Sequence, residues 1–95
     1  MNQSERENLR RTLLNFLAIR NVAAFSAEQL RDRINGERLT DRPVTVEDIT
    51  AAADLLVEAN LAKSLTEGAG VIPYFKATAA GVLDSEQWRF QRGMA

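Results

Sequence analysis

A capped helix that leads straight into a β-strand occupies residues 43–65, and it limits the folds open to this chain. Thr45 stands three residues before Asp48, so each side chain is placed to bond the other residue's backbone amide, as in a capping box. Val44 and Ile49 hold the two positions of a hydrophobic staple. The predicted inward face then follows at helical spacing: Ile49, Ala52, Ala53, Leu56, Ala59 and Asn60. We predict that Leu56 lies buried at the centre of the core.

Forms of the same cap predict three further helices. Ser4 with Glu7 predicts a first helix over residues 5–20, ended by Asn21 in the left-handed conformation. Ser26 with Gln29 predicts a second helix that stops at Gly36. Thr78 caps the last helix, whose predicted packing positions are Val82, Leu83, Gln87, Trp88 and Phe90.

Short β-strands are predicted between these helices. Residues 61–66 alternate with a period of two, residues 67–70 supply a glycine-containing turn, and residues 71–76 form a return strand. Pro73 donates no hydrogen bond, so we expect this strand at an edge or bulged there. Residues 22–25 add one short strand. The prediction is a mainly α fold with a small β-hairpin (α+β), forming a single domain over residues 1–95.

Composition excludes several functional classes. Among 95 residues, 45% are apolar and 26% charged, which is typical of a globular domain. The chain contains no cysteine and no histidine, so it lacks thiolate ligands and the commonest metal ligand and general base. The start is polar, no apolar run reaches membrane-spanning length, and we expect a cytoplasmic protein without membrane contact. We predict no catalytic residue, metal or cofactor. Glu47 and Asp48 do not form a catalytic pair of carboxylates, because adjacent residues of a helix do not face each other.

A resemblance rests on two segments after the third helix. These are Leu61-Ala62-Lys63 and the run Tyr74-Phe75-Lys76-Ala77-Thr78-Ala79-Ala80-Gly81. Together they resemble the end of winged helix-turn-helix proteins of the MarR and PadR type, in which a hairpin wing precedes an aromatic-x-x-x-Thr-x-x-Gly helix start. Asn60 stands where such proteins usually place glycine, and asparagine tolerates the left-handed conformation. The resemblance covers nearly the whole chain and implies the order helix, short strand, helix, helix, hairpin, helix.

The resemblance implies contact with double-stranded DNA through the third helix and the wing. The candidate contacts are Arg38, Arg42, Thr50, Lys63 and Lys76. The exposed face of the third helix opposes this expectation, because it carries Glu47, Asp48, Asp54 and Glu58 and no basic residue. Residues 1–42 hold eight basic residues against six acids, and residues 43–95 hold four against seven, so neither half is strongly basic.

Two functions therefore stay open. One is a DNA-associated transcriptional regulator with weak or dimer-dependent DNA contact. The other is a protein-interaction or dimerisation module that uses the winged-helix scaffold without DNA. The family resemblance includes dimers formed through the first and last helices, so we expect a homodimer with Trp88 and Phe90 as candidate interface residues.

Overall fold

Within the part of the chain that the structure describes, four helices and a three-stranded antiparallel sheet build a winged helix-turn-helix, as predicted. The structure, a computed structural model, describes residues 1–66 and 71–93. The elements run in the order α1 (Gln3–Ile19), β1 (Phe25–Ser26), α2 (Ala27–Gly36), α3 (Val46–Glu58), β2 (Ala62–Leu65), β3 (Tyr74–Ala77) and α4 (Ala79–Gln91). The predicted turn at residues 67–70 lies outside the described residues.

The helix starts follow the capping prediction in three cases of four. Ser26 and Thr45 close capping boxes at α2 and α3, and the Thr78 hydroxyl accepts from the Gly81 amide at 3.0 Å. The prediction for α1 is wrong, because Asn2 caps that helix in a capping box with Glu5. Asn2 and Glu5 have the same three-residue spacing two positions earlier, and using them lengthens the helix by about half a turn.

Helix ends are less well predicted. Arg20 caps α1, and the residues with positive φ in the described chain are Arg38, Asn60 and Gly93, so the expectation for Asn21 is wrong. Gly36 is the last residue of α2, but the left-handed turn comes two residues later at Arg38, with φ 53°. Asn60, with φ 62°, takes the left-handed conformation as expected. Since α3 ends at Glu58, Ala59 and Asn60 are exposed rather than inward.

The sheet has the strand order β1-β3-β2, so β3 lies in the centre. Strand β3 begins at Tyr74, which leaves Pro73 before the hydrogen-bonded ladder, and the predicted edge or bulge at Pro73 is wrong. Strand β1 forms at Phe25–Ser26 rather than over residues 22–25, where Phe25 pairs with Phe75 and Ser26 with Tyr74. Strand β2 is two residues shorter than predicted.

The core gathers around α1, which packs against α3, α4 and β3. Leu13, Leu17 and Ile49 are fully buried, and Leu56 is 5% exposed, which confirms the inward face of α3 at these positions. The ring of Phe16 meets the ring of Phe25 edge-on, with centroids 5.3 Å apart. The larger buried side chains of the cluster are Leu9, Leu13, Leu14, Phe16, Leu17, Leu30, Ile34, Val44, Ile49, Leu56 and Phe75.

Helix α4 packs partly as predicted, since Val82 lies partly buried against the core and Trp88 lies half-buried beside Arg11 of α1. Gly81 and Ser85, one turn apart, are the buried residues of α4, and the Ser85 hydroxyl donates to Asn15 Oδ1 at 2.7 Å. Leu83, Gln87 and Phe90 fall on the opposite side of the helix and are exposed. The prediction is wrong for Leu83, Gln87 and Phe90, because at Gly81 the helix comes too close to Leu61 and Leu14 for a side chain and its buried positions are small.

Candidate nucleic-acid interface

The loop between α2 and α3 is held by one side-chain amide. Asn35 Nδ2 donates to the Val44 carbonyl at 3.0 Å, and the Val44 amide donates to Asn35 Oδ1 at 2.8 Å. Val44 is buried, so these two hydrogen bonds join the end of α2 to the residue before the α3 cap. Asn35 therefore positions both the loop that carries Arg38 and Arg42 and the first turn of α3.

The exposed face of α3 is acidic. Glu47, Ala51, Asp54 and Glu58 follow one another on a single side of the helix, and all four are exposed. Asp48 is half-buried, and its carboxylate accepts from the Thr45 amide at 3.1 Å within the capping box. A phosphate brought to this face meets three uncompensated carboxylates, which repel it.

The Thr50 hydroxyl is engaged within the helix. It donates to the Val46 carbonyl at 2.9 Å, and the residue is half-buried. A phosphate needs a donor, so Thr50 contacts DNA only by giving up this bond.

The wing places two cations side by side. In the β2–β3 register Lys63 lies directly opposite Lys76, and Leu65 lies opposite Tyr74. Directly opposed residues of antiparallel strands share one face of the sheet, and the alternate face carries the buried Ala62, Phe75 and Ala77. Lys63, Leu65, Tyr74 and Lys76 therefore occupy the outward face, with Lys63 exposed and Lys76 half-buried. We call Lys63 and Lys76 the lysine pair.

The two loop arginines differ in their surroundings. Arg38 is exposed, and none of the ion pairs found within residues 1–66 and 71–93 involves it. Arg42 is ion-paired with Glu5 of α1. This Arg42 guanidinium, together with the Asn2 amide, holds the pKa of the Glu5 carboxyl below its ordinary value, and Glu5 in turn raises the pKa of Arg42. Both arginines line one depression of about 310 Å³ on the loop.

The predicted cations thus form two groups, the lysine pair on the sheet and Arg38 with Arg42 on the loop. Sequence reasoning missed that Glu5 occupies Arg42, since residues 37 positions apart give no local signal. It also missed Tyr74 and Leu65 beside the lysine pair. The alternation of both strands contains that information once the register is fixed, and the register depends on the turn.

The two predicted dimer residues lie on different sides of α4. The ring of Trp88 is half-buried between the guanidinium groups of Arg11 and Arg92, whose carbons lie 5.2 and 4.9 Å from the ring centroid. Arg11 is fixed by Asp84 at 2.7 Å. Phe90 is 75% exposed and lies two turns from Leu83, which is 55% exposed. We call Leu83 and Phe90 the α4 stripe.

Residues 1–66 and 71–93 contain no group of three or more potential metal-binding side chains. No helix in the same residues is long and apolar enough to cross a membrane.

Comparison with known proteins bears on the fold. No protein-family model and no curated protein matches the sequence. Among solved structures, the crystal structure of SSV1 F-93 is similar to this chain with a TM-score of 0.64 and 14% sequence identity, over 90% of this chain and 86% of that one. At this identity the likeness shows a shared winged-helix fold, and it does not distinguish the MarR type from the PadR type.

Proposed function

We propose that this chain is a DNA-associated winged-helix regulator that holds the DNA backbone through its wing rather than through α3. The observation that carries the proposal is the lysine pair. Like charges directly opposite each other in a sheet destabilise it, and a phosphate oxygen between two ammonium groups removes that cost. Arg38 and Arg42 are the proposed additional phosphate contacts, with Arg42 released from Glu5 when it binds.

The expected contact is weak and tolerant of sequence. Phosphate contacts fix position and supply affinity but carry no base information. The exposed positions of α3 hold acids, Ala51 and Leu55, and in the major groove an acid can accept hydrogen bonds only from the amino groups of cytosine and adenine. Thr50 is the remaining polar candidate on this helix.

Salt dependence of binding to random duplex DNA tests this proposal. The wild type is expected to bind in fluorescence anisotropy near 50 mM salt and to weaken as salt rises. Lys63→Gln/Lys76→Gln is expected to lower the slope of log K against log salt by about two, one for each lysine–phosphate pair removed. Wild-type protein that shows no binding at low salt contradicts the DNA function.

Two matched variants control this experiment. Lys63→Arg/Lys76→Arg keeps both charges and is expected to keep the slope. Arg92→Gln removes one charge at the far end of α4, about 20 Å along the helix from β3, and is expected to leave the slope unchanged. If Lys63→Gln/Lys76→Gln keeps the wild-type slope, the wing does not contact the DNA backbone.

A second candidate function is a protein-interaction module, and the α4 stripe favours it. Large apolar side chains this exposed on one helical face are typical of interfaces. We propose that Phe90 lies in a homodimer interface and that Trp88 supports α4 from the side facing Arg11. Phe90→Ser is expected to shift the mass measured by light scattering at 500 mM salt, where charged contacts are screened, from dimer towards monomer. Val71→Ser, at a residue 89% exposed outside the helices, is the control. A wild type that is monomeric at all accessible concentrations contradicts the dimer.

A further inference from the structure

A second exposed surface lies where α1 crosses α3, and its charges are arranged in two strips. A cleft of about 200 Å³ lies between the exposed edges of the two helices, with Arg6 and Arg10 on the α1 wall and Asp48, Ala51, Ala52 and Leu55 on the α3 wall. Leu55 is 42% exposed. We define the α1–α3 surface by its members, which are Arg6, Arg10, Ala51, Leu55, Glu47, Asp54 and Glu58.

Helix geometry gives the order of these groups across the surface. Ala52 lies on the side of α3 nearest α1, together with Asp48, whose carboxylate accepts from the Thr45 amide in the cap. Leu55 and Ala51 come next, and Glu47, Asp54 and Glu58 occupy the side beyond Ala51. An apolar stripe therefore runs between a basic strip on α1 and an acidic strip on α3. The stripe keeps the two strips apart within one chain.

None of these charges has an ionic partner within the described residues. The five ion pairs found there involve neither the basic strip nor the acidic strip. Arg6 donates instead to the Met1 carbonyl at 2.9 Å. Asp54 and Glu58 are four residues apart on the helix, a like-charge spacing that destabilises α3. Residues 1–66 and 71–93 therefore leave both strips open to compensation by a partner.

We propose that the α1–α3 surface pairs with the same surface of a second copy of this chain. In an isologous pair whose twofold axis runs parallel to α3, each strip meets the strip of opposite charge on the partner. Ala51 and Leu55 then face the same residues of the partner across the axis. A twofold axis perpendicular to α3 brings like charges together, so the charge pattern selects the parallel arrangement of the two α3 helices.

This pairing rests on the protein-interaction function proposed above and names its partner. It differs in chemistry from the α4 stripe, because association through charged strips is screened by salt and association through Leu83 and Phe90 is not. It also covers the exposed face of α3. The lysine pair lies on the sheet and is not a member of this surface.

Sedimentation velocity with two charge-reversal variants tests the pairing. The wild type is expected to show an association step that weakens by about tenfold or more between 50 and 500 mM salt, because several exposed ion pairs are screened together. Arg6→Glu/Arg10→Glu makes both strips acidic, and Asp54→Arg/Glu58→Arg makes both strips basic. Neither variant alone is expected to show the step.

The decisive measurement is sedimentation of a mixture of the two variants. The acidic variant and the basic variant are complementary at both strips, so their mixture is expected to regain the step as a heterodimer. Glu28→Arg/Asp32→Arg reverses two exposed acids at the same spacing on α2 and is expected to behave as the wild type. Phe90→Ser is expected to leave the salt-sensitive step in place, which separates this surface from the α4 stripe.

Three results overturn the proposal. They are a wild type without salt-sensitive association, a mixture of the two variants that remains unassociated, and a salt-sensitive step that disappears in Phe90→Ser. Circular dichroism of each variant verifies that α1 and α3 stay folded. A wild type that associates through Phe90 alone preserves the protein-interaction function while excluding this surface.

Discussion

Gly81→Ala is expected to destabilise the fold, against the intrinsic preference of helices for alanine. A Cβ built at Gly81 meets the Leu61 carbonyl oxygen at 1.9 Å, the Leu61 carbonyl carbon at 2.9 Å and Leu14 Cδ1 at 3.2 Å. The first two atoms belong to the backbone, so no side-chain rotation relieves the overlap. This position explains why glycine follows Thr78 by three residues in the segment that begins α4.

The same carbonyl joins the wing to the last helix. The Thr78 amide donates to the Leu61 carbonyl at 3.1 Å, and the Thr78 hydroxyl donates to the Asn60 carbonyl at 2.7 Å. Moving Leu61 away from a new methyl group therefore strains both bonds at the start of β2. Each such bond contributes about 0.5–1.5 kcal/mol.

The net magnitude follows from two opposed effects. Alanine in place of glycine inside a helix gains about 1 kcal/mol. Inserting a methyl group into a closely packed site costs about 1–3 kcal/mol and occasionally more, and an approach this short against backbone belongs at the upper end. With the strained hydrogen bonds added, we expect the free energy of unfolding to fall by about 2 kcal/mol or more.

Urea denaturation of Gly81→Ala measures this change. Gly36→Ala is the control, since a Cβ at Gly36 meets nothing within 4 Å, and its expected effect is neutral or stabilising by up to about 1 kcal/mol. A Gly81→Ala protein as stable as the wild type, or more stable, refutes the close approach of α4 to Leu61.

Three further changes test other parts of the fold. Thr45→Ala removes the α3 cap and is expected to cost about 0.5–2 kcal/mol, seen as a lower thermal midpoint; an unchanged midpoint means that the cap does not stabilise the helix. Leu56→Ala empties part of the core and is expected to cost about 2–5 kcal/mol in urea denaturation, whereas a soluble, stable Leu56→Asp protein contradicts the inward face of α3. Arg42 lowers the pKa of Glu5 in the folded chain, so the stability from this ion pair is present at neutral pH and disappears as acid protonates Glu5. Glu5→Gln is therefore expected to flatten the acid limb of the stability profile, and an identical limb in the variant argues against the ion pair.

Local signals predicted most of the architecture because capping and alternation act over a few residues. Thr45 with Asp48 and Ser26 with Gln29 needed nothing beyond their spacing. The same logic failed at α1, where Asn2 and Ser4 offer competing caps and only one is used. Local rules rank two competing caps poorly, because the difference between their free energies is smaller than the free energy of the contacts that the helix makes elsewhere.

The failures concern distances between elements. The packing face of α4 depends on how near α4 comes to α1, and the buried Gly81 and Ser85 leave no apolar pattern in the sequence. The ion pair between Arg42 and Glu5 likewise depends on where the α2–α3 loop crosses the start of α1. The candidate interface is therefore predictable as a set of residues, but its division into a lysine pair and a loop group is not.

Under the proposed DNA function, the exposed charges favour contact with the DNA backbone over reading of its bases. At physiological salt, exposed charges more than about 8 Å apart are largely screened, so the acids of α3 weaken binding mainly when α3 itself approaches phosphate. If the outward face of the sheet approaches the DNA, Lys63 and Lys76 are the charged residues nearest the phosphates. The commonest base contacts come from Arg, Lys, Asn and Gln, and the exposed positions of α3 supply acids and apolar side chains instead. In the proposed pairing, the same acids meet Arg6 and Arg10 of a second copy. A chain that pairs through α3 and holds phosphate through its wing thus uses both surfaces without placing an acidic helix in a groove.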